Sequence, residues 1–526
     1  MSEGFTLVTS HLPVLSILVI SLLYHLFARH RCQSGRLPPG PAGLPLIGSL
    51  FDVLRDKSKP KPQYLRYLEM GQKYNSDIVH MKVSGDRIII LNSAKVTSEL
   101  LEKRSAIYSS RPPMPMLVDL SGYAPNMCRK LTLIPAFRAH RRTFSRYFMS
   151  RKVHEYHPIQ RKETLHLLKN LVNDPDIDIR EHVRTYTGAI SVRITHGINL
   201  EQYRMHYSEL ADRAIQSFIF AGNHGDFMVD YFPLLKYIPS WLPGATFKQK
   251  AKVWAKDVSD LNELPWKDVK SSVASGAAIP CIATDGLEKF SSQLDEMEEV
   301  LKNVCGVAYI AGTDTTSSLL LSIIVALVCY PEIQKKAQSE LDTVVGQGRL
   351  PDFSDRKRLP YIECVLKETQ RMWPSAPLGL DHYSISDDIY EGYFIPKGTT
   401  IVGNTWAILH DKTIYDDPMT FKPERFLEQF GKQCPPDPLY SFGFGRRICP
   451  GRYLALDNSW MMMACILAVF TIEKALDING NEIEVTTQRT DGALSYPVPF
   501  RCRFTPRSPQ ALDLLETGFA GQEVAE

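Results

Sequence analysis

The stretch "SFGFGRRICPG" (Ser441–Gly451) sets three glycines and the adjacent Arg446 and Arg447 around one cysteine, Cys449, with Pro450 directly after it. The residues that follow, "RYLALDNSWMMMACILAVF" (Arg452–Phe470), have helical period. Cys449 therefore stands just ahead of a helix N-terminus, where unpaired N–H groups and the helix dipole favour negative charge. Gly443, Gly445 and Gly451 let backbone amides come close to the sulfur. A thiolate held this way is a soft, strongly donating ligand or a nucleophile.

Three readings of the thiol compete. A lone cysteine is most often a buried structural residue, but a core position has no need of three glycines and two arginines. A catalytic nucleophile needs a neighbouring histidine base, and the loop holds none. One thiolate cannot cage a bare ion, yet it can be the axial ligand of haem iron, with arginines suited to the propionates.

The loop resembles the haem-binding loop of the cytochrome P-450 haem-thiolate monooxygenases. Phe442, Gly445, Arg447, Cys449 and Gly451 fill every slot of that pattern. The resemblance implies heme b (iron-protoporphyrin IX) as cofactor, Cys449 as proximal iron ligand, Phe442 beside the sulfur and Arg447 on a propionate. "AGTDTT" (Ala311–Thr316) interrupts a long apolar helix expected over 295–330. It is similar to the family's oxygen-activation motif, which implies that Ala311 and Gly312 open a groove over the haem and that Asp314 and Thr315 relay protons to dioxygen. "ETQR" (Glu368–Arg371) places opposite charges on one helix face, a commonplace arrangement by itself. By resemblance Glu368, Arg371 and Arg425 of "FKPERF" form a structural lock rather than chemistry. Further propionate partners implied in the same way are Arg141, His382 and Arg111. Phe137 stands where the family usually has tryptophan, and Tyr383 where close relatives tend to carry a basic residue.

The rest of the chain is consistent with an enzyme of this kind. Its 526 residues carry 61 basic and 58 acidic side chains, a net charge of +3 that draws it to no nucleic acid. Ten cysteines form no CxxC pair, so a structural zinc site is not expected. "FTLVTSHLPVLSILVISLLYHLF" (Phe5–Phe27) is long enough to cross a bilayer, and Arg29, Arg31 and Arg36 follow it. This predicts a membrane anchor at 1–28, a basic and proline-rich hinge at 29–50, a catalytic domain at 51–510 and a polar tail at 511–526. The fold class expected is mainly α with a minor β-sheet region (α+β). "DIVHMKVSGDRIIIL" (Asp77–Leu91) predicts two strands and Asp388–Leu409 a hairpin-like run, and the family resemblance runs on to a last strand pair near "ALSYPVPFRCRF" (Ala493–Phe504). The proline-broken apolar segment 231–254 is a packed connector or a surface that dips into lipid, with Lys248, Lys250 and Lys252 at the headgroups.

These expectations add up to a single-pass protein of the endoplasmic reticulum membrane with a cytosolic catalytic domain. The resemblance extends to fungal members that tailor terpenoids, polyketides or indoles. It implies a lipophilic substrate, O2, and electrons from an NADPH-cytochrome P-450 reductase docking near Arg138, Arg142, Arg446 and Lys432. Tyr309, Ala311, Leu378 and Ala493 are the implied substrate contacts. A haem-dependent isomerase or dehydratase of a peroxide, and a non-enzymatic haem sensor or electron carrier, are the alternatives.

Overall fold

Prolines, glycines and capping side chains set the limits of the elements. The computed structural model describes residues 35–523 apart from 45–46, 54–60, 84–85, 124–134, 176, 223–225 and 429–432. The expected anchor at 1–28 and Lys432 lie outside the described residues. The principal helices in chain order are α1 (Gln63–Tyr74), α2 (Pro135–Phe148), α3 (His157–Asn173), α4 (Ile179–His196), α5 (Leu200–Ala221), α6 (Thr246–Ala274), α7 (Leu294–Cys329), α8 (Pro331–Val344), α9 (Pro360–Met372), α10 (Arg452–Val469) and α11 (Pro509–Glu523). Helix makes up 59% of the structure, so the mainly α expectation holds.

The long helix α7 is the axis of the molecule. Asp295 and Glu296 suit its N-terminal dipole, and Pro331 begins α8 immediately after it. Its apolar residues from Leu319 to Val328 are buried in the main core together with α9 and α10. Among the described residues it is the one helix long and apolar enough to cross a membrane, but 83% of its apolar window is buried inside the protein. It is a core helix. α4 packs along it. α4 starts with the Asp178 side chain accepting the Arg180 N–H at 2.9 Å and ends at Gly197 in the left-handed region.

The sheet is small. β1 (Ile78–Val83) pairs antiparallel with β2 (Asp86–Leu91), as expected from the sequence. Further along the chain come β3 (His382–Tyr383), β4 (Asp388–Tyr390), β5 (Tyr393–Ile395), β6 (Thr399–Gly403), β7 (Phe470–Lys474) and β8 (Cys502–Pro506). β6 joins β2 in parallel and carries β3 on its other edge, giving the order β1-β2-β6-β3.

Three expectations need correction. The run 388–409 is not strand to its end: after the β4–β5 hairpin and β6, Thr405–Leu409 is helical, because Asn404 caps it by accepting the Ala407 N–H. The last strand pair near Ala493–Phe504 is present only in part of that stretch: β8 starts at Cys502 and pairs with β7 from the end of α10, while Ala493–Pro497 holds an isolated bridge from Arg489 to Pro497. Residues 511–523 of the expected polar tail belong to α11, whose Ala511 and Leu515 are buried in the main core.

Candidate active site

The loop before α10 is built around two unusual glycines. Gly445 has φ +50°, and a Cβ there would lie 2.2 Å from the Leu101 carbonyl oxygen. Gly443 has φ +86° and ψ −164°, a region that side chains exclude. This path lets the Cys449 N–H donate to the Phe442 carbonyl at 2.8 Å, and the Cys449 carbonyl accept from Arg452 Nη1 at 3.0 Å. Helix α10 then begins after Gly451. Cys449 is half-buried and sits two residues before that helix cap. Phe442 is also half-buried.

The basic residues assigned to propionates gather around this loop. Arg447 is buried, its Nε donating to the Ser109 carbonyl at 2.7 Å. Its guanidinium lies 3.9 Å from the centroid of the Phe137 ring. Arg141 Nη2 donates to the Ile448 carbonyl at 2.6 Å, next to Cys449. Arg111 is buried with Nη1 on the Leu380 carbonyl at 2.7 Å. His382, in β3, is buried with Nδ1 2.7 Å from the Tyr108 carbonyl. Burial first, then the charges of Arg111 and Arg447, lower its pKa to about 3. A carbonyl only accepts, so Nδ1 carries the proton and a neutral ring offers Nε2 as an acceptor. A negatively charged group here is therefore held by the three arginines, and His382 donates to it only as an imidazolium.

The lock expected from ETQR is present in full. Glu368 and Arg371 are both fully buried. Arg371 Nε and Nη2 donate to the two carboxylate oxygens of Glu368 at 2.8 and 2.9 Å. Arg425 Nε reaches both at 3.0 Å, and the Lys422 N–H reaches Oε1 at 2.8 Å. Arg371 Nη1 donates to the Leu409 and Pro418 carbonyls at 3.0 and 2.8 Å, and Nη2 also reaches the Thr420 carbonyl at 3.5 Å. A buried charge cluster persists when every donor and acceptor is matched in this way.

On α7 the polar residues divide between two faces. Ala311 is exposed although Val304 to Ile310 before it are buried, and Thr315, one turn on, is half-buried. That face of α7 borders open space, and Thr315 Oγ1 donates to the Ala311 carbonyl at 2.7 Å. Asp314 points elsewhere. It is buried, with Oδ1 3.5 Å from Arg184 Nη2 of α4. Arg184 is shared with Asp212 of α5 at 2.5 Å. Burial raises the Asp314 pKa, and the Arg184 charge opposes the rise. Asp212 rises for the same first reason, with Arg184 again opposing.

Two sequence readings on α7 are overturned. Tyr309 does not line a substrate space: it is fully buried in the cluster between α5 and α6, with its hydroxyl on the Tyr207 carbonyl at 3.0 Å. Gly312 opens no groove on the Thr315 side: a Cβ there would lie 2.7 Å from Ser191 Oγ, so the residue allows close packing against α4. Leu378 and Ala493 are half-buried on the loops after α9 and before β8. The sequence reading missed Arg184, Asp212 and Tyr496, whose hydroxyl donates to the Asp314 carbonyl at 3.1 Å.

These residues fit a haem. Among the described residues no three His, Cys, Asp or Glu cluster as a metal cage, and the half-buried Cys449 offers the single thiolate that a haem takes from its protein. Cys449 would hold the iron, Arg111, Arg141 and Arg447 the acidic edge, and Gly445 keeps the loop free of a side chain where it crosses Leu101.

Comparison with known proteins agrees. A sequence model of the family described as Cytochrome P450 matches residues 38–496. A cytochrome P450 monooxygenase of Armillaria gallica is 40% identical over 506 residues, covering 95% of this chain and 97% of the relative. The cytochrome P450 monooxygenase ple1 of Rhodocybe pseudopiperita is 39% identical over 513 residues, 96% of each chain. The tryptamine 4-monooxygenase of Psilocybe cyanescens is 36% identical over 512 residues, covering 95% of this chain and 98% of that protein.

Proposed function

The chain belongs to the cytochrome P450 family and is a haem-dependent monooxygenase; from that premise we propose that it oxidises a lipophilic secondary metabolite of terpenoid, polyketide or indole type, anchored in the endoplasmic reticulum membrane and supplied with electrons by an NADPH-dependent reductase. The observation that carries the reading is the Cys449 loop, with its Phe442 carbonyl contact and a Gly445 path closed to any side chain.

Haem bound at Cys449 supplies the activation of dioxygen. The chain's own residues move the protons. Asp314 keeps its carboxyl proton to higher pH than an exposed aspartate, because burial disfavours the anion. Thr315 Oγ1 donates its hydrogen bond to the Ala311 carbonyl, so its lone pairs remain to accept a hydrogen bond on the open face of α7. Arg184 and Asp212 connect Asp314 towards the surface, since the Asp212 side chain is 44% exposed.

Reductase docking is supported by a cleft of about 380 Å³ lined by Arg138, Arg141, Arg142 and Arg446 with Ala106 and Ser145. Four guanidiniums around one concavity attract an acidic partner. Membrane association is supported by Leu234 and Trp241, 79% and 76% exposed on the segment before α6. Lys250 and Lys252 are exposed beside them. Lys248 instead braces the segment, its Nζ donating to the Lys236 and Ile238 carbonyls at 3.0 and 2.7 Å. An indole guest is supported by the name of one relative, a tryptamine 4-monooxygenase.

The test has two parts. Reduction of the purified protein under carbon monoxide is expected to give the red-shifted Soret band of thiolate-ligated haem, absent in Cys449→Ala. A haem-loaded sample without that band overturns the assignment. Co-expression with a fungal reductase, fed terpenoid, polyketide and indole precursors, is expected to yield a product heavier by one oxygen. Turnover independent of NADPH would favour peroxide isomerisation.

A further inference from the structure

Two loops outside α7 end on the turn of α7 that holds Asp314 and Thr315. Ser375 Oγ, after α9, donates to the Thr315 carbonyl at 3.1 Å. The Tyr496 hydroxyl, before β8, donates to the Asp314 carbonyl at 3.1 Å. The loops are joined to each other, because the Ser495 N–H donates to the Ser375 carbonyl at 2.9 Å. They return to α7 one turn further on, where Ser318 Oγ donates to the Ser495 carbonyl at 2.6 Å. Arg489 reinforces this second tie through Ser322 Oγ at 2.9 Å and Ser495 Oγ at 3.0 Å. Thr315, Ser375, Ser495 and Ser318 thus form a closed ring, with Tyr496 attached at Asp314.

On either side of this turn Thr313 and Ser317 bond back along the helix, to the Tyr309 and Thr313 carbonyls at 2.8 and 2.7 Å. At 314 and 315 the outside donors arrive on two consecutive carbonyls. A carbonyl has two lone pairs, so each can accept a second bond beside its helical one. Burial, then the Asp314 charge, raises the Tyr496 pKa well above that of a free phenol, so its hydroxyl stays a donor. The same two loops carry Leu378 and Ala493, three residues from Ser375 and from Tyr496 respectively.

We propose that Tyr496 and Ser375 are positioning residues for the proton relay: they hold the 314–315 turn from the loops that meet the substrate, so that a guest seated against Leu378 or Ala493 sets the geometry of Asp314 and Thr315. The proposal rests on the relay assignment given under the proposed function. It makes the split of dioxygen between products depend on two side chains that bond to the backbone of the relay turn.

The test uses the holoenzyme with a fungal reductase, NADPH and oxygenated buffer, and no added substrate. Dioxygen then leaves as hydrogen peroxide, taking two electrons and two protons, or as two waters, taking four of each. Tyr496→Phe and Ser375→Ala are each expected to move the water-to-peroxide partition about fivefold towards peroxide, the factor that one lost hydrogen bond represents. Amide hydrogen exchange across 311–319 in the resting enzyme is expected to quicken in both. Ser322→Ala, which loosens Arg489 without touching either relay carbonyl, is expected to leave the partition at the wild-type value. If Thr315→Ala leaves the partition unchanged, the relay assignment fails and this proposal with it. If Thr315→Ala shifts it while Tyr496→Phe and Ser375→Ala match wild type, the positioning role alone is overturned. An equal shift in Ser322→Ala also overturns it, because general loosening then explains the effect.

Discussion

Arg184 Nη2 lies 3.5 Å from Oδ1 of Asp314 and 2.5 Å from Oδ1 of Asp212, so one guanidinium spans a buried carboxylate and a more exposed one. The closer pair leaves Asp314 with incomplete compensation, and burial raises its pKa from the ordinary 3.8. A carboxyl with a raised folded-state pKa favours the native protein fully below its unfolded-state value. That stability is lost as pH climbs through the folded-state value, and the loss persists at neutral pH. Asp314→Asn removes the anion and keeps the shape. It is expected to be more stable than wild type at pH 7, by roughly 1 kcal/mol, with the gain vanishing below about pH 4. Thermal denaturation of both proteins across this pH range checks it. A less stable Asn variant at pH 7 would mean that the Arg184 attraction outweighs burial.

Helical geometry explains which parts of this site were legible in the sequence. At about 100° per residue, Ala311 and Thr315 fall on one face, which the structure leaves open, while Tyr309 falls some 200° away from Ala311 and enters the core. The apolar run that ends at Pro331, the glycine loop and the Glu368–Arg371 pair are local signals, and each forms where expected. Arg184 and Asp212 meet Asp314 across more than a hundred residues of chain, and neither has a local pattern to mark it. Tyr496 is likewise remote in sequence: its hydroxyl reaches α7 from a loop 182 residues further on, with no local pattern to mark it. Long-range polar contacts of this kind depend on how helices cross, which periodicity does not encode.

The glycines of the Cys449 loop are not equivalent. Gly445→Ala meets both a positive φ and a Cβ 2.2 Å from the Leu101 carbonyl oxygen. Backbone strain alone costs about 1–3 kcal/mol, and the clash displaces the Leu101 segment as well. Gly451 has φ −86°, and an added Cβ would meet only Cys449 Sγ at 3.9 Å, an ordinary contact. Gly451→Ala is therefore expected to stay within about 0.5 kcal/mol of wild type. Haem-to-protein ratios after purification should fall sharply for Gly445→Ala and stay near wild type for Gly451→Ala. The opposite ranking would show that space at the sulfur, rather than backbone path, limits the loop.

Glu368 accepts from two guanidiniums and one backbone amide with no exposure to solvent. Glu368→Ala leaves Arg371 and Arg425 facing each other uncompensated. Breaking a buried charge cluster from one side costs about 3–5 kcal/mol. Because no residue of the cluster contacts Cys449 or Thr315, the loss is expected in folding yield and denaturant midpoint rather than in the spectrum of whatever holoprotein survives. A normal midpoint combined with a shifted carbon monoxide spectrum would instead place the cluster in contact with the cofactor.

Phe137 presents its ring to the Arg447 guanidinium at 3.9 Å, where the family resemblance leads one to expect tryptophan. The ring is buried, and Arg447 is also fixed by the Ser109 carbonyl at 2.7 Å. A desolvated cation–π pair contributes about 2 kcal/mol, so the phenyl ring replaces with packing what the indole N–H would give as a hydrogen bond. Phe137→Leu keeps most of the volume and removes the π face. It is expected to free Arg447 and speed haem loss to apomyoglobin about tenfold or more. Phe137→Trp retains the stacked face, gains an N–H donor and is expected to release haem more slowly than wild type. Equal release rates for the leucine variant and wild type would mean that the Ser109 contact alone orients Arg447, and that the ring serves only to fill the core.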